Sequence, residues 1–193
     1  MIQRFDIAAL PDTPWKNGGG STREIVCRPP GTDLEGFDWR VSIATIAQAG
    51  PFSVFPGVDR VIMLLDGDGV HLRSGSGIDH CLNDLHRPFA FSGDVAIDCQ
   101  LLRGTSTDFN VMTRRGVLSA HVQVLNAATT LSVAPRGLLM ALRGQWQLQG
   151  DAGQQTCAAG HGLWWDGEPH AWAASPPDGD AALVWVRLDS AGV

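Results

Sequence analysis

At 193 residues, 44% of them hydrophobic, with a mean hydropathy of +0.00 and a formal net charge of −6, the chain can bury a sizeable core and lacks the basic surface that nucleic acid requires. It contains no apolar run of the roughly eighteen residues needed to span a bilayer, and Met1-Ile2-Gln3-Arg4-Phe5-Asp6 has no signal-peptide core. The expectation is a cytoplasmic protein with neither nucleic acid nor membrane as partner. Cys27, Cys81, Cys99 and Cys157 are far apart, with no CxxC pair, and read as reduced small hydrophobes rather than as a disulfide framework or zinc site.

In chain order, the first distinctive segment is Pro14-Trp15-Lys16-Asn17-Gly18-Gly19-Gly20-Ser21-Thr22. Lys16 is the only lysine, the other cationic side chains being arginines, and it stands beside three glycines that let a ligand or backbone approach closely. An ordinary solvated turn lysine is the plain alternative. Glycine and proline then punctuate the chain at short intervals, leaving alternating or apolar runs at 22–27, 39–45, 60–65, 95–102, 109–113, 117–125, 138–143, 146–149, 163–166 and 181–188. This is the pattern of an all-β sandwich or barrel. Short helical turns at 48–50 and 79–85 are weaker alternatives.

The run Ile62-Met63-Leu64-Leu65-Asp66-Gly67 is echoed by Leu139-Met140-Ala141-Leu142-Arg143-Gly144, each followed later by a glycine turn, at Gly93 and at Gly160. Two β units of similar plan are expected, one over 1–116 holding the ligand pocket and one over 117–193, with strand exchange between halves allowed.

Alternation along Trp39-Arg40-Val41-Ser42-Ile43-Ala44-Thr45 puts Arg40, Ser42 and Ala44 on one face. Thr22 and Glu24 share a face, as do Asn110 and Met112. Arg60 opens a strand directly after Phe52-Ser53-Val54-Phe55-Pro56-Gly57, an aromatic-walled entry. If these faces converge, Lys16, Arg40 and Arg60 surround Glu24, with Thr22, Ser42, Ser53 and Asn110 as neutral partners. That is a pocket for a small organic anion, a carboxylate above all. The competing readings are an Arg40–Glu24 cross-strand ion pair and a surface Arg60.

Other motifs fail on spacing. Lys16 precedes its glycines and so makes no phosphate-binding loop, and Gly67-Asp68-Gly69 is a hairpin turn. His80 and Cys81 with His86, or His161 with His170, match no standard metal-ligand set.

Four blocks carry a resemblance: 14–25, Phe37-Asp38-Trp39-Arg40-Val41-Ser42-Ile43-Ala44, 50–60, and Phe109-Asn110-Val111-Met112 with Arg114-Arg115-Gly116. In their order they resemble the HutD/Ves family of bacterial proteins. The resemblance implies a cupin-like, bicupin fold with two β-barrel or jelly-roll halves. It also implies that Trp15, Lys16, Asn17, Thr22, Glu24, Arg40, Ser42, Phe52, Ser53 and Arg60 occupy signature and pocket positions. HutD-type members are associated with histidine utilisation as regulators that sense or sequester a metabolite such as urocanate or N-formylglutamate; Ves-type members are tied to stress or cold response. Metal-dependent cupins carry an HxH pair where this chain has Val58-Asp59-Arg60, so no metal and no cofactor is expected.

The leading expectation is a metal-free carboxylate-binding protein that regulates histidine utilisation, with no catalytic residue assigned and homodimerisation left open. The alternatives are a metal-independent enzyme on a small carboxylic acid with Glu24 as general base, a Ves-type stress-response protein, and an interaction scaffold using exposed tryptophans of the last third.

Overall fold

The computed structural model describes residues 1–34, 36–151, 153–177 and 179–191. Seventeen strands follow one another: β1 (Ile2–Asp6), β2 (Asp12–Pro14), β3 (Gly20–Arg28), β4 (Trp39–Ile46), β5 (Gly50–Pro51), β6 (Val58–Asp66), β7 (Val70–Arg73), β8 (Asp79–Leu82), β9 (Phe89–Ser92), β10 (Asp98–Leu101), β11 (Ser106–Arg114), β12 (Leu118–Leu125), β13 (Thr129–Arg143), β14 (Gln145–Gly150), β15 (Gly153–Ala158), β16 (His161–Ser175) and β17 (Ala182–Ser190). One 3-10 turn, Ile7–Ala9, is capped by the Asp6 carboxylate accepting from the Ala8 N–H. The chain is all-β, as its glycine-punctuated alternation indicates. Segment 79–85 begins as strand β8, not as a helical turn. Among the described residues no helix is long and apolar enough to cross a membrane.

The chain divides into two compact units. The first comprises Pro11–Ser119 with Ala191. It holds a six-stranded sheet in the order β2-β3-β4-β11-β6-β9 and a four-stranded sheet in the order β5-β10-β7-β8. Ile46, Ile62 and Leu64 of the larger sheet meet Val70, Leu72, Leu82 and Cys99 of the smaller one in a shared apolar cluster. The sheets therefore stack face to face. Gly67, at φ +92, makes the turn after β6, and a Cβ there would stand 2.3 Å from the Thr105 carbonyl oxygen, so only glycine fits.

The second unit comprises Met1–Leu10 and Ala120–Ser190. Its sheet runs β12-β17-β13-β16-β14-β15, with β1 also paired to β16. The register of β13 against β16 shifts between Leu131 and Ala134 and again between Ala134 and Arg136, and such bulges bend long strands. At the bend, the Trp165 indole N–H donates to the Ala134 carbonyl at 2.9 Å. The bare Gly137 beside it leaves room for the Trp165 ring, which an added Cβ would meet at 2.7 Å.

The sequence reading left the tryptophans of the last third free to form an exposed interface; the structure corrects it. Trp146, Trp165, Trp172 and Trp185 are all buried in one cluster. Each such indole removes about 200 Å² from water, roughly 5 kcal/mol of transfer free energy as an upper bound.

The first ten residues sit in the second unit, paired through β1 with β16. The expected barrel halves meet open sheets, since among the described residues no strand order closes on itself.

A candidate anion pocket in the first unit

In an antiparallel sheet, residues directly opposite one another share a face. One row across the large sheet reads Cys27, Arg40, Met112, Arg60 and Phe91. The next reads Glu24, Ser42, Asn110, Ile62 and Phe89, and a third reads Thr22, Ala44, Asp108 and Leu64. The register shift between Glu24 and Val26 resets the alternation of β3, which brings Cys27 rather than Val26 opposite Arg40. Two arginines, a glutamate, an aspartate, an asparagine and a serine therefore share one inward face.

Arg40 behaves as the plainer reading foresaw. Its Nε donates to Glu24 Oε2 at 2.7 Å and its Nη1 to Ser42 Oγ at 3.3 Å. This is a cross-strand ion pair whose arginine side is 12% exposed and whose glutamate side is 48% exposed.

Arg60 is not a surface residue. It is 8% exposed, and its guanidinium carbon lies 5.3, 5.5 and 5.0 Å from the ring centroids of Phe52, Phe55 and Phe91. Cation–π attraction holds it in that cage. Nη2 donates to Asn110 Oδ1 at 2.8 Å, while Nε is buried without a partner. Burial first, and the charge of Arg40 second, lower its pKa to about 10, so it stays cationic at neutral pH. Among the described residues no carboxylate pairs with it.

The glycine-rich segment serves the backbone. Trp15 and Gly20 close a hairpin between β2 and β3, with Gly18 at φ +71 and the Asn17 Oδ1 accepting from the Gly19 N–H at 3.0 Å. The Trp15 indole donates to Thr22 Oγ1 at 2.8 Å. Gly20 admits no side chain, because a Cβ would lie 2.1 Å from the Thr45 carbonyl oxygen and 3.0 Å from the Trp15 ring. Lys16 is exposed at this hairpin tip, and among the described residues nothing holds its ammonium. Ser53 is exposed as well.

A small cleft of about 20 Å³ opens here, lined by Trp15, Asn17, Gln48, Phe52 and Cys99 among others, with room for about one water. The structure thus joins Glu24, Arg40, Ser42, Asn110, Arg60 and Phe52 in one face and its cover. Trp15, Asn17 and Thr22 stand at the rim, and Lys16 and Ser53 are left outside.

Sequence reasoning missed Asp108. This carboxyl is 0% exposed, accepts from Ser106 Oγ at 2.9 Å through Oδ1 and has no partner at Oδ2. Desolvation raises its pKa to about 6. Beside it, burial and then the Asp108 charge push the Cys99 thiol up to about 12. The available signal is alternation from Asn110 back to Asp108, which an apolar run beginning at Phe109 conceals. Phe91 was missed too, for want of any recognised strand at 89–92. Among the described residues no group of three or more His, Cys, Asp or Glu is placed to hold a metal ion.

The HutD family model matches residues 7–183. Protein Ves of Citrobacter koseri is 40% identical over 189 residues, covering 96% of this chain and 95% of its own. The crystal structure of a conserved protein of unknown function from Pseudomonas aeruginosa PAO1 has 33% identity and a TM-score of 0.89, covering 98% of this chain and 100% of its own. The structure of HutD from Pseudomonas fluorescens SBW25, in a formate condition, has 30% identity and a TM-score of 0.84, with full coverage of both chains. A cupin 2 conserved barrel domain protein from Leptotrichia buccalis, 9% identical with a TM-score of 0.63 over 97% of this chain and 96% of its own, shares the fold alone. The chain belongs to the HutD/Ves family and has a cupin-like fold.

Proposed function

We propose that the first unit is a metal-free receptor for a small organic carboxylate, and that its occupancy regulates histidine utilisation. One observation carries the reading: a caged, buried arginine with an unpartnered Nε and no carboxylate of its own. Burying an unpaired cation is costly, and an incoming carboxylate supplies the missing charge through the guanidinium fork. Arg40 is already neutralised by Glu24, so Arg60 is the binding charge and Arg40 a neighbour that deepens the positive field. Asn110 and Ser42 would bond the ligand's remaining polar atoms. Trp15, Asn17 and Thr22 would act at the mouth, with Lys16 and Ser53 exposed outside it. Entry requires the segment carrying Phe52 and Phe55 to swing off Arg60, since the cleft as it stands admits only about one water. In this reading each unit corresponds to one half of a bicupin.

Urocanate and N-formylglutamate are the ligands that the HutD resemblance supports. A Ves-type stress role is the second reading, favoured by the 40% identity to Protein Ves against 30% to HutD.

Calorimetric titration of the purified protein with urocanate, N-formylglutamate and acetate, in wild type and Arg60→Met, tests the pocket. Wild type should bind at least one of them, and Arg60→Met should bind none while melting no lower than wild type, because it removes a buried unpaired charge. Binding retained in Arg60→Met overturns the reading.

A further inference from the structure

Asp108 takes no part in holding the ligand's carboxylate, and its placement is unusual. It stands two residues from Asn110 on the same face of β11, opposite Ala44 on β4 and Leu64 on β6. On the smaller sheet, Cys99 of β10 lines the cleft and packs in one apolar cluster with Leu64, the residue opposite Asp108 on β6. The cleft thus has two buried polar groups behind its walls: Arg60 behind Phe52 and Asp108 beside Cys99. Each has one atom without a partner, Arg60 Nε and Asp108 Oδ2. The two are not paired with each other in a salt bridge.

We propose that Asp108 is the specificity residue of this pocket: in its neutral form it donates its O–H to a hydrogen-bond acceptor on the ligand, while Arg60 holds the ligand's carboxylate. The inference rests on the carboxylate-pocket reading above and narrows it to monocarboxylates with a carbonyl oxygen or ring nitrogen several ångströms from the carboxylate. Arg60 lies in the row of Met112 and Asp108 two rows on, but the Arg60 guanidinium reaches the row of Asn110 through its bond to Asn110 Oδ1, and one strand repeat, about 7 Å, separates Asn110 from Asp108.

Charge balance supports the neutral form. With Arg40 compensated by Glu24, Arg60 is the one cation on the face without a counter-charge among the described residues, and one ligand carboxylate neutralises it. An ionised Asp108 would add a surplus negative charge in a dry site. The groups facing Asp108 are Ser106 on its own strand, Ala44, Leu64 and the Cys99 thiol, which stays protonated. None of these is a cation that would favour the carboxylate.

The test compares pentanoate with 4-oxopentanoate, which differ by one ketone, in wild type, Asp108→Leu and Asp108→Asn at pH 5 and pH 8. Wild type should prefer the keto acid by roughly fivefold to tenfold at pH 5, the worth of one net hydrogen bond, and lose most of that preference at pH 8. Asp108→Leu should bind both acids equally. Asp108→Asn, whose amide still donates, should keep a preference that no longer depends on pH, so the inference stays testable if the leucine variant misfolds. Equal binding of both acids by wild type, or a preference that survives in Asp108→Leu, removes Asp108 from the site and leaves the Arg60 reading intact. Failure of wild type to bind either acid overturns this inference, while the Arg60 pocket then stands or falls on the titration with urocanate, N-formylglutamate and acetate.

Discussion

Arg115 and Asp94 form a clamp outside the pocket: Arg115 Nη1 donates to Asp94 Oδ2 at 2.7 Å while Asp94 Oδ1 accepts from the Gly57 N–H, also at 2.7 Å. Ser92 Oγ donates to the same carboxylate, and Arg115 bonds Asp59 as well. Gly57 and Asp59 flank the start of β6, and Ser92 ends β9. The clamp therefore fixes the two strand ends that bring Arg60 against Phe91.

Asp94→Ala should lower Tm by a few degrees at pH 7 and weaken carboxylate binding more than it lowers stability. The Gly57 N–H, then Ser92 and Arg115, hold this carboxyl down at about 2. A depressed carboxyl contributes stability above its unfolded value, near 3.8, and loses that contribution as pH falls toward 2. The Tm gap between wild type and variant should accordingly close between pH 4 and pH 2. A gap that persists undiminished at pH 2 would show that the carboxylate charge does not matter.

Much of this face is legible in the sequence because β4 alternates cleanly. Arg40, Ser42 and Ala44 could be placed on one face from period two alone, and Asn110 falls opposite Ser42 as a β-sheet register requires. The bulge in β3 was not legible, since a register shift leaves no mark in residue type and continued alternation would have faced Val26 inward in place of Cys27. Lys16 drew attention by its rarity, a property of composition that says nothing about where a hairpin tip points. Asp108 was hidden by the opposite bias. A carboxyl is expected at the edge of a strand, and only the tertiary environment of Leu64, Ala44 and Cys99 dries it. The pairing of β1 with β16 joins residues some 160 positions apart, and no local pattern encodes such a contact.

Asp108 also gives the fold a pH dependence opposite in sign to that of Asp94. Its carboxyl stays protonated to about 6 in the folded chain against 3.8 for an ordinary aspartate, so the folded state binds the proton more tightly. Stability should fall as pH rises from about 4 through 6 and level off above, by on the order of 3 kcal/mol in all. Asp108→Asn cannot ionise and should flatten that window, so denaturant titrations should show the variant gaining on wild type between pH 4 and pH 7. Parallel profiles for the two proteins would mean that Asp108 is solvated after all.

Glu24 separates a receptor from an enzyme. Its carboxylate lies 2.7 Å from Arg40 Nε and is half exposed, which suits a counter-charge that sets how much positive field reaches Arg60. Glu24→Gln keeps the shape, releases the charge of Arg40, and should raise carboxylate affinity by less than about tenfold, a modest electrostatic change. General-base catalysis would instead supply on the order of 10² to 10⁴ in rate, and removing the base would abolish conversion. Both proteins are to be incubated with urocanate, N-formylglutamate and glutamate in deuterated water and followed by NMR for turnover and solvent exchange. The expected result is that neither converts nor exchanges any of the three. Turnover by wild type that vanishes in Glu24→Gln would make Glu24 a catalytic base and replace the receptor reading with an enzyme.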